Sequence, residues 1–154
     1  MKDKIIEFYL TGLFIGKINY MPGTFGTLLG VLIFFFLSDN SLIFNIILLC
    51  IFFIISIYIL DLAKYRKIFR KVDDKSIVID EIFGFLFLMI FFEPTLENII
   101  IGFMLFRIFD ILKPYPIFLI DNNLKNSVGV MLDDILAAIY SGLILFIFNY
   151  AIKF

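Results

Sequence analysis

The sequence predicts an all-α integral membrane protein: a helical bundle of about five membrane-embedded helices with a short N-terminal interfacial helix. Three observations carry that expectation. Hydrophobic residues make up 62% of the chain, against roughly 45–50% in a soluble domain. Residues 42–60 run without a charge, about 28 Å of helix at 1.5 Å per residue, enough to cross the hydrocarbon. The charged residues gather at the ends of the apolar stretches. At 154 residues the chain, 1–154, reads as a single domain.

The elements follow in order. Residues 5–16 predict a short apolar helix with Gly12 and Gly16 four apart, too short to span and suited to the interface or to a neighbouring helix. Met21 to Thr27 forms a turn rich in glycine and hydroxyls, and 24–37 predicts a first, short span closed by Ser38-Asp39-Asn40-Ser41. Leu42 to Leu60 is the clearest span. Residues 61–76 then carry Lys64, Arg66, Lys67, Arg70, Lys71 and Lys75, diluted by Asp61, Asp73 and Asp74. The next apolar segment, 76–92, has Asp80 and Glu81 in its first turns. An acidic link from Glu93 to Asn98 leads to a helix over 99–112, which breaks at Pro114-Tyr115-Pro116. The last helix runs from about Val128 to Phe148, capped by Asn126 or Ser127.

By the positive-inside rule the basic loop 61–76 is cytoplasmic. Counting crossings from it puts Pro22–Thr27, Asp80 and Glu81, Arg107 to Lys113, and Asp133 and Asp134 all on the inner face. A charge within hydrocarbon costs roughly 2.5–3.5 kcal/mol on insertion scales unless it has a partner, a metal or water. Asp80 and Glu81 on one helix and Asp133 and Asp134 on another supply adjacent carboxylates from two directions. Hard oxygen donors of this kind suit Mg²⁺, which binds through a few carboxylates plus substrate phosphate. Asp110 is a further ligand or the group that positions attacking water. Arg107 and Lys113 suit phosphate oxygens, one as a fork and one as a point charge. Thr24 and Thr27 add hydroxyls at a helix start, where backbone N–H groups favour an anion.

Each feature also has a purely structural reading. Acids near a helix N-terminus complement the dipole, Arg107–Asp110 makes an ion pair, and Lys113 snorkels to the interface. Gly23, Gly26 and Gly30 permit close helix packing, and Asp121, beyond the proline break, reads as a solvated loop acid, with a role in the site as the alternative. The joint placement on one face favours a site.

Composition excludes several chemistries. There is no histidine, hence no imidazole base, ligand or phosphohistidine. The single cysteine, Cys50, forms no intramolecular disulfide and has no arginine at cysteine-phosphatase spacing. Neither Asp-x-Asp nor Asp-Gly-x-x-Ala-Arg occurs, which removes haloacid dehalogenase and CDP-alcohol phosphotransferase chemistry. A net charge of −1 gives no case for nucleic acid. The rival from another class is a small ion-coupled transporter or channel subunit, although transport sites lie nearer mid-membrane.

Four motifs sharpen this reading: Pro22-Gly23-Thr24-Phe25-Gly26-Thr27, Asp80-Glu81-x-x-Gly84, Phe106-Arg107-x-x-Asp110-x-x-Lys113-Pro114-x-Pro116 and Met131-x-Asp133-Asp134. Together, in this order, they closely resemble the phosphatidylglycerophosphatase A family over residues 12 to about 142. The resemblance implies a Mg²⁺-dependent, multi-pass enzyme of the bacterial inner membrane with its active site facing the cytoplasm. Its expected partners are the bilayer and the phospholipid phosphatidylglycerophosphate, whose phosphomonoester it would remove to give phosphatidylglycerol. Homo-oligomerisation stays open, and another lipid or polyprenyl phosphate is the alternative substrate. The residues carried over are Thr24, Asp80, Glu81, Arg107, Asp110, Lys113, Asp133 and Asp134. Three departures are mild: Thr27 stands where the family often has Ser, Tyr115 where Trp is common, and Ala138 where Gly is common.

Overall fold

A computed structural model describes residues 2–71 and 74–152; Asp73 of the basic loop lies outside the described residues. Those residues form seven α-helices and one short 3₁₀ turn, with no strand among them. The helices are α1 Lys2–Leu10, α2 Pro22–Leu37, α3 Leu42–Tyr65, α4 Ile79–Met89, α5 Leu96–Leu112, α6 Ile117–Asn123 and α7 Ser127–Ile152. The all-α expectation holds.

The first helix is shorter than the sequence suggests. It ends at Leu10, and Gly12, Leu13 and Phe14 all take left-handed backbone before the 3₁₀ turn Ile15–Lys17. Gly12 makes this reversal affordable because it has no Cβ. A Cβ there would also stand 2.9 Å from the side chains of Val78 and Ile82. A Cβ on Gly16 would overlap the Ser76 carbonyl, so both glycines serve a close approach of this turn to the start of α4, sealed by Val78 N–H donating to the Leu10 carbonyl at 3.0 Å.

Helix α2 starts at Pro22, which needs no N–H partner at that position. Ser41 caps α3 by accepting from Phe44 N–H, and Thr95 caps α5 by accepting from Asn98 N–H. For α7 the structure selects Asn126, whose Oδ1 accepts from Gly129 N–H at 2.8 Å. The helix expected to stop at Leu60 continues to Tyr65, since nothing in Asp61-Leu62-Ala63-Lys64 breaks a helix. The Pro114–Pro116 break is followed by the unforeseen short helix α6.

Helix α4 is the centre of the bundle. It packs against α7, α2, α5 and α3, and Ile82, Phe83, Phe85, Leu86, Leu88 and Met89 are buried by protein. The segment expected as a span over 76–92 holds an eleven-residue helix packed on by protein. A helix apolar all round is buried, and periodicity does not say whether by protein or by lipid. The opposite holds for α3, which leaves Ile43 72% and Tyr58 68% exposed. Helices α3 and α7 are the two among the described residues with the length and composition to cross a membrane, and α2 is a shorter apolar helix of 16 residues.

Candidate active site

The N-terminal ends of α2 and α4, the C-terminal end of α5 and the second turn of α7 meet around one cavity of about 350 Å³. Its wall includes Thr24, Asp80, Glu81, Arg107, Asp110, Lys113, Asp133 and Asp134. Eight of the nine residues singled out from the sequence therefore surround a common space.

Two glycines set the spacing. Gly84 stands one turn beyond Asp80, and a Cβ on it would lie 2.9 Å from the Phe106 ring and 3.0 Å from Asp134 Cβ. Its missing side chain lets α4 settle against α5 and α7 with the acids of both helices in register. A Cβ on Gly23 would overlap Glu81 Oε1 and lie 3.0 Å from Arg107 Nη2. The start of α2 is therefore pressed against the charged groups themselves.

Carboxylate oxygens of Asp80, Glu81 and Asp134 lie within 4.8 Å of one another. Asp80 Oδ1 and Glu81 Oε2 are buried and have no hydrogen-bond partner. Three carboxylates so close repel unless a cation or a shared proton lies between them, and buried acceptors left bare are costly. The donor set is all oxygen and fits a hard divalent cation. Asp133 stands apart from this triad: Lys113 Nζ is 2.7 Å from its Oδ2, and its Oδ1 accepts from Asp134 N–H.

The cations are held by acids behind them. Arg107 Nη1 is 2.5 Å from Asp110 Oδ2, three residues on along α5. Arg107 Nε is buried and unpartnered, a donor available to an anion. Thr27 does not line the cavity. It is buried, it donates to the Gly23 carbonyl at 2.9 Å, and it accepts from Arg107 Nη1 at 3.4 Å. Lys113 takes left-handed backbone ahead of Pro114, which ends α5. Its ammonium sits between Asp121 at 2.6 Å and Asp133 at 2.7 Å. Burial disfavours its charge, but the hydrogen bonds to Asp121 and Asp133 outweigh that and raise its pKa above the ordinary lysine range.

Of the two readings of Asp121, the structure favours the one that places it beside the site. It lies on α6 and pairs with Lys113, so it is not a solvated loop acid. No periodicity connects residues 113 and 121 across a double proline, and the helix that brings them together has only seven residues.

A family model described as Phosphatidylglycerophosphatase A matches residues 8–149. A Haemophilus influenzae protein named phosphatidylglycerophosphatase A is 37% identical over 138 residues, 88% of this chain and 83% of its own length. An Escherichia coli protein of the same name is 40% identical over 76 residues, 48% of this chain and 44% of its own. A Bacteroides thetaiotaomicron protein, provisionally named a phosphatidylinositol-3-phosphatase, is 31% identical over 150 residues, 92% of each chain. No solved structure matches significantly. With four motifs in order around one cavity and a match over nearly its whole length, this chain belongs to the phosphatidylglycerophosphatase A family.

Proposed function

We propose that this protein hydrolyses the phosphomonoester of phosphatidylglycerophosphate to phosphatidylglycerol and inorganic phosphate, with Mg²⁺ held by the α4 and α7 carboxylates. The observation that carries the proposal is the triad Asp80, Glu81 and Asp134, its oxygens within 4.8 Å, facing the same cavity as Arg107 and Lys113. Family membership supplies the substrate.

Asp80, Glu81 and Asp134 would hold the cation, with Asp133 as a fourth acid beside them. When bound, such an ion neutralises phosphoryl oxygens and acidifies neighbouring water, which supplies a nucleophile without histidine. Arg107 binds a phosphate oxygen through its free Nε while Asp110 fixes its plane. Lys113 brings a second positive charge, oriented by Asp121 and Asp133. Thr24 offers its hydroxyl from α2, and Thr27 steadies Arg107 from behind. The phosphorus–oxygen bond to the terminal glycerol breaks, and the glycerol oxygen leaves with a proton as phosphatidylglycerol. The attacking oxygen is that of water or, in a two-step route, of one of the carboxylates.

The setting is a bacterial cytoplasmic membrane, crossed several times, with the cavity facing the cytoplasm. The exposed apolar surface of α3 and the basic stretch from Lys64 to Lys75 support this orientation. A cavity at one end of the bundle does not fit the mid-membrane site of a coupled transporter.

Phosphate release from the lipid in detergent micelles tests the reading. Mg²⁺ should be required, EDTA should abolish release, and Asp134→Asn should lose roughly a hundredfold or more, since even changes behind a metal ligand cost 10–100-fold. Equal rates for wild type and Asp134→Asn, or indifference to EDTA, would remove the metal site. The Bacteroides relative favours a second reading, a phosphatase of another lipid phosphate. Competition between phosphatidylglycerophosphate and phosphatidylinositol 3-phosphate decides between them.

A further inference from the structure

A second cavity of about 460 Å³ adjoins the first, and Asp80 and Asp133 line both. Three acids and two lysines face it. Asp121 and Asp133 are both engaged by Lys113, and Asp80 belongs to the carboxylate triad. The lysines, Lys71 and Lys125, approach from separate parts of the chain, the stretch after α3 and the link between α6 and α7. Neither forms an ion pair among the described residues. Two of the three acids of this cavity are thus neutralised by Lys113, the third is a cation ligand under the proposed function, and among the described residues its two lysines are the charges without an ion pair. Lys71 also lines a neighbouring groove with Lys64, Lys67 and Arg70, so the positive surface continues outward.

The proposed substrate carries two phosphates of different kinds. One is the phosphomonoester to be cleaved, and the other is the phosphodiester that joins the terminal glycerol to the diacylglycerol. With the phosphomonoester beside Arg107 and the triad, the phosphodiester lies one glycerol unit further along the lipid, and the cavity that shares Asp80 and Asp133 with the first is the adjoining space. We infer that Lys71 and Lys125 form a second anion subsite that grips this phosphodiester. The inference rests on the proposed function and deepens it. It gives the protein a means to prefer a lipid with both phosphates over one with a lone phosphomonoester, because an exposed ammonium meeting a phosphate oxygen makes a charge-assisted hydrogen bond.

The test is steady-state kinetics on phosphatidylglycerophosphate in zwitterionic micelles, with wild type, Lys71→Ala/Lys125→Ala, Lys71→Arg/Lys125→Arg and the distant control Lys4→Ala. The alanine pair should raise KM about tenfold, the effect of losing a charged hydrogen bond or two, with kcat within about twofold. The arginine pair should restore KM, and Lys4→Ala should leave it unchanged. In parallel, direct binding of short-chain phosphatidylglycerol, which keeps only the phosphodiester, should weaken by a similar factor in the alanine pair. An unchanged KM, an equal rise in Lys4→Ala, or equal phosphatidylglycerol binding by wild type and alanine pair would overturn the subsite. Absence of phosphate release by wild type would instead overturn the proposed function, and the binding arm would still decide the subsite.

Discussion

Replacing Gly23 by alanine removes no charge, yet it should disable the site. The added methyl would overlap Glu81 Oε1 and stand 3.0 and 3.2 Å from the two terminal nitrogens of Arg107. Relaxed contacts of this kind sit near 3.5–4.0 Å, so Arg107 must retreat by roughly 0.5–1 Å and Glu81 by roughly 1.2–1.7 Å. Both are the far ends of side chains, so the fold accommodates the change. The triad and the guanidinium are then out of register with a bound phosphate. A misplacement of about 1 Å costs on the order of a hundredfold in rate, about 2.7 kcal/mol of barrier. The assay is kcat/KM for phosphate release, read beside the thermal unfolding midpoint in the same detergent. The expected result is a loss near a hundredfold with the midpoint within a few degrees of wild type. Activity within threefold of wild type would refute the claim that α2 sets the spacing of these charges.

Other changes separate the roles of neighbouring groups. Gly84→Ala places its methyl against the Phe106 ring and Asp134 Cβ; these cannot swing aside, so the unfolding midpoint and the activity should fall together, with about 1–3 kcal/mol lost to overpacking. An unchanged midpoint would mean that α4 and α7 can separate freely. Lys113→Met leaves Asp121 and Asp133 facing each other without their shared cation. Destabilisation of roughly 1–3 kcal/mol is expected, below the 3–5 of a fully buried pair because Lys113 and Asp121 are partly exposed, and Asp121→Asn in the same background should recover part of it. Recovery of none in chemical denaturation would show that the two acids do not interact. Arg107→Lys keeps the charge but not the planar fork. It should lower kcat/KM by roughly tenfold to a hundredfold, and a wild-type value would assign Arg107 to structure alone.

The parts of the molecule legible in the sequence are those where local pattern and environment agree. The uncharged run 42–60 reads as a helix from its length and its lack of Gly and Pro, although its Ile and Phe favour strands, and its exposed apolar side chains suit lipid. The carboxylates of α4 and α7 stood out because acids inside apolar stretches need a reason. Helix α4 has the apolarity of a span but only eleven residues, and its neighbours are protein side chains, a fact of tertiary packing. The reversal at Gly12–Phe14 depends on left-handed backbone at Leu13 and Phe14, which side-chain identity hardly signals. Thr27 was expected at the phosphate, but its hydroxyl is spent on the Gly23 carbonyl and Arg107, an arrangement that exists only once α2 meets α5. The separation of Asp133 from the triad likewise depends on Lys113, which reaches it from another helix.

The most direct test of the account is whether acids on α4 and α7 share one cation. Mn²⁺, which takes the same oxygen donors as Mg²⁺, can be titrated into the purified protein and followed by electron paramagnetic resonance. Wild type should bind it, and Asp80→Asn and Asp134→Asn should each weaken binding at least tenfold while remaining folded. If either variant binds Mn²⁺ as wild type does, the two helices do not hold a common ion.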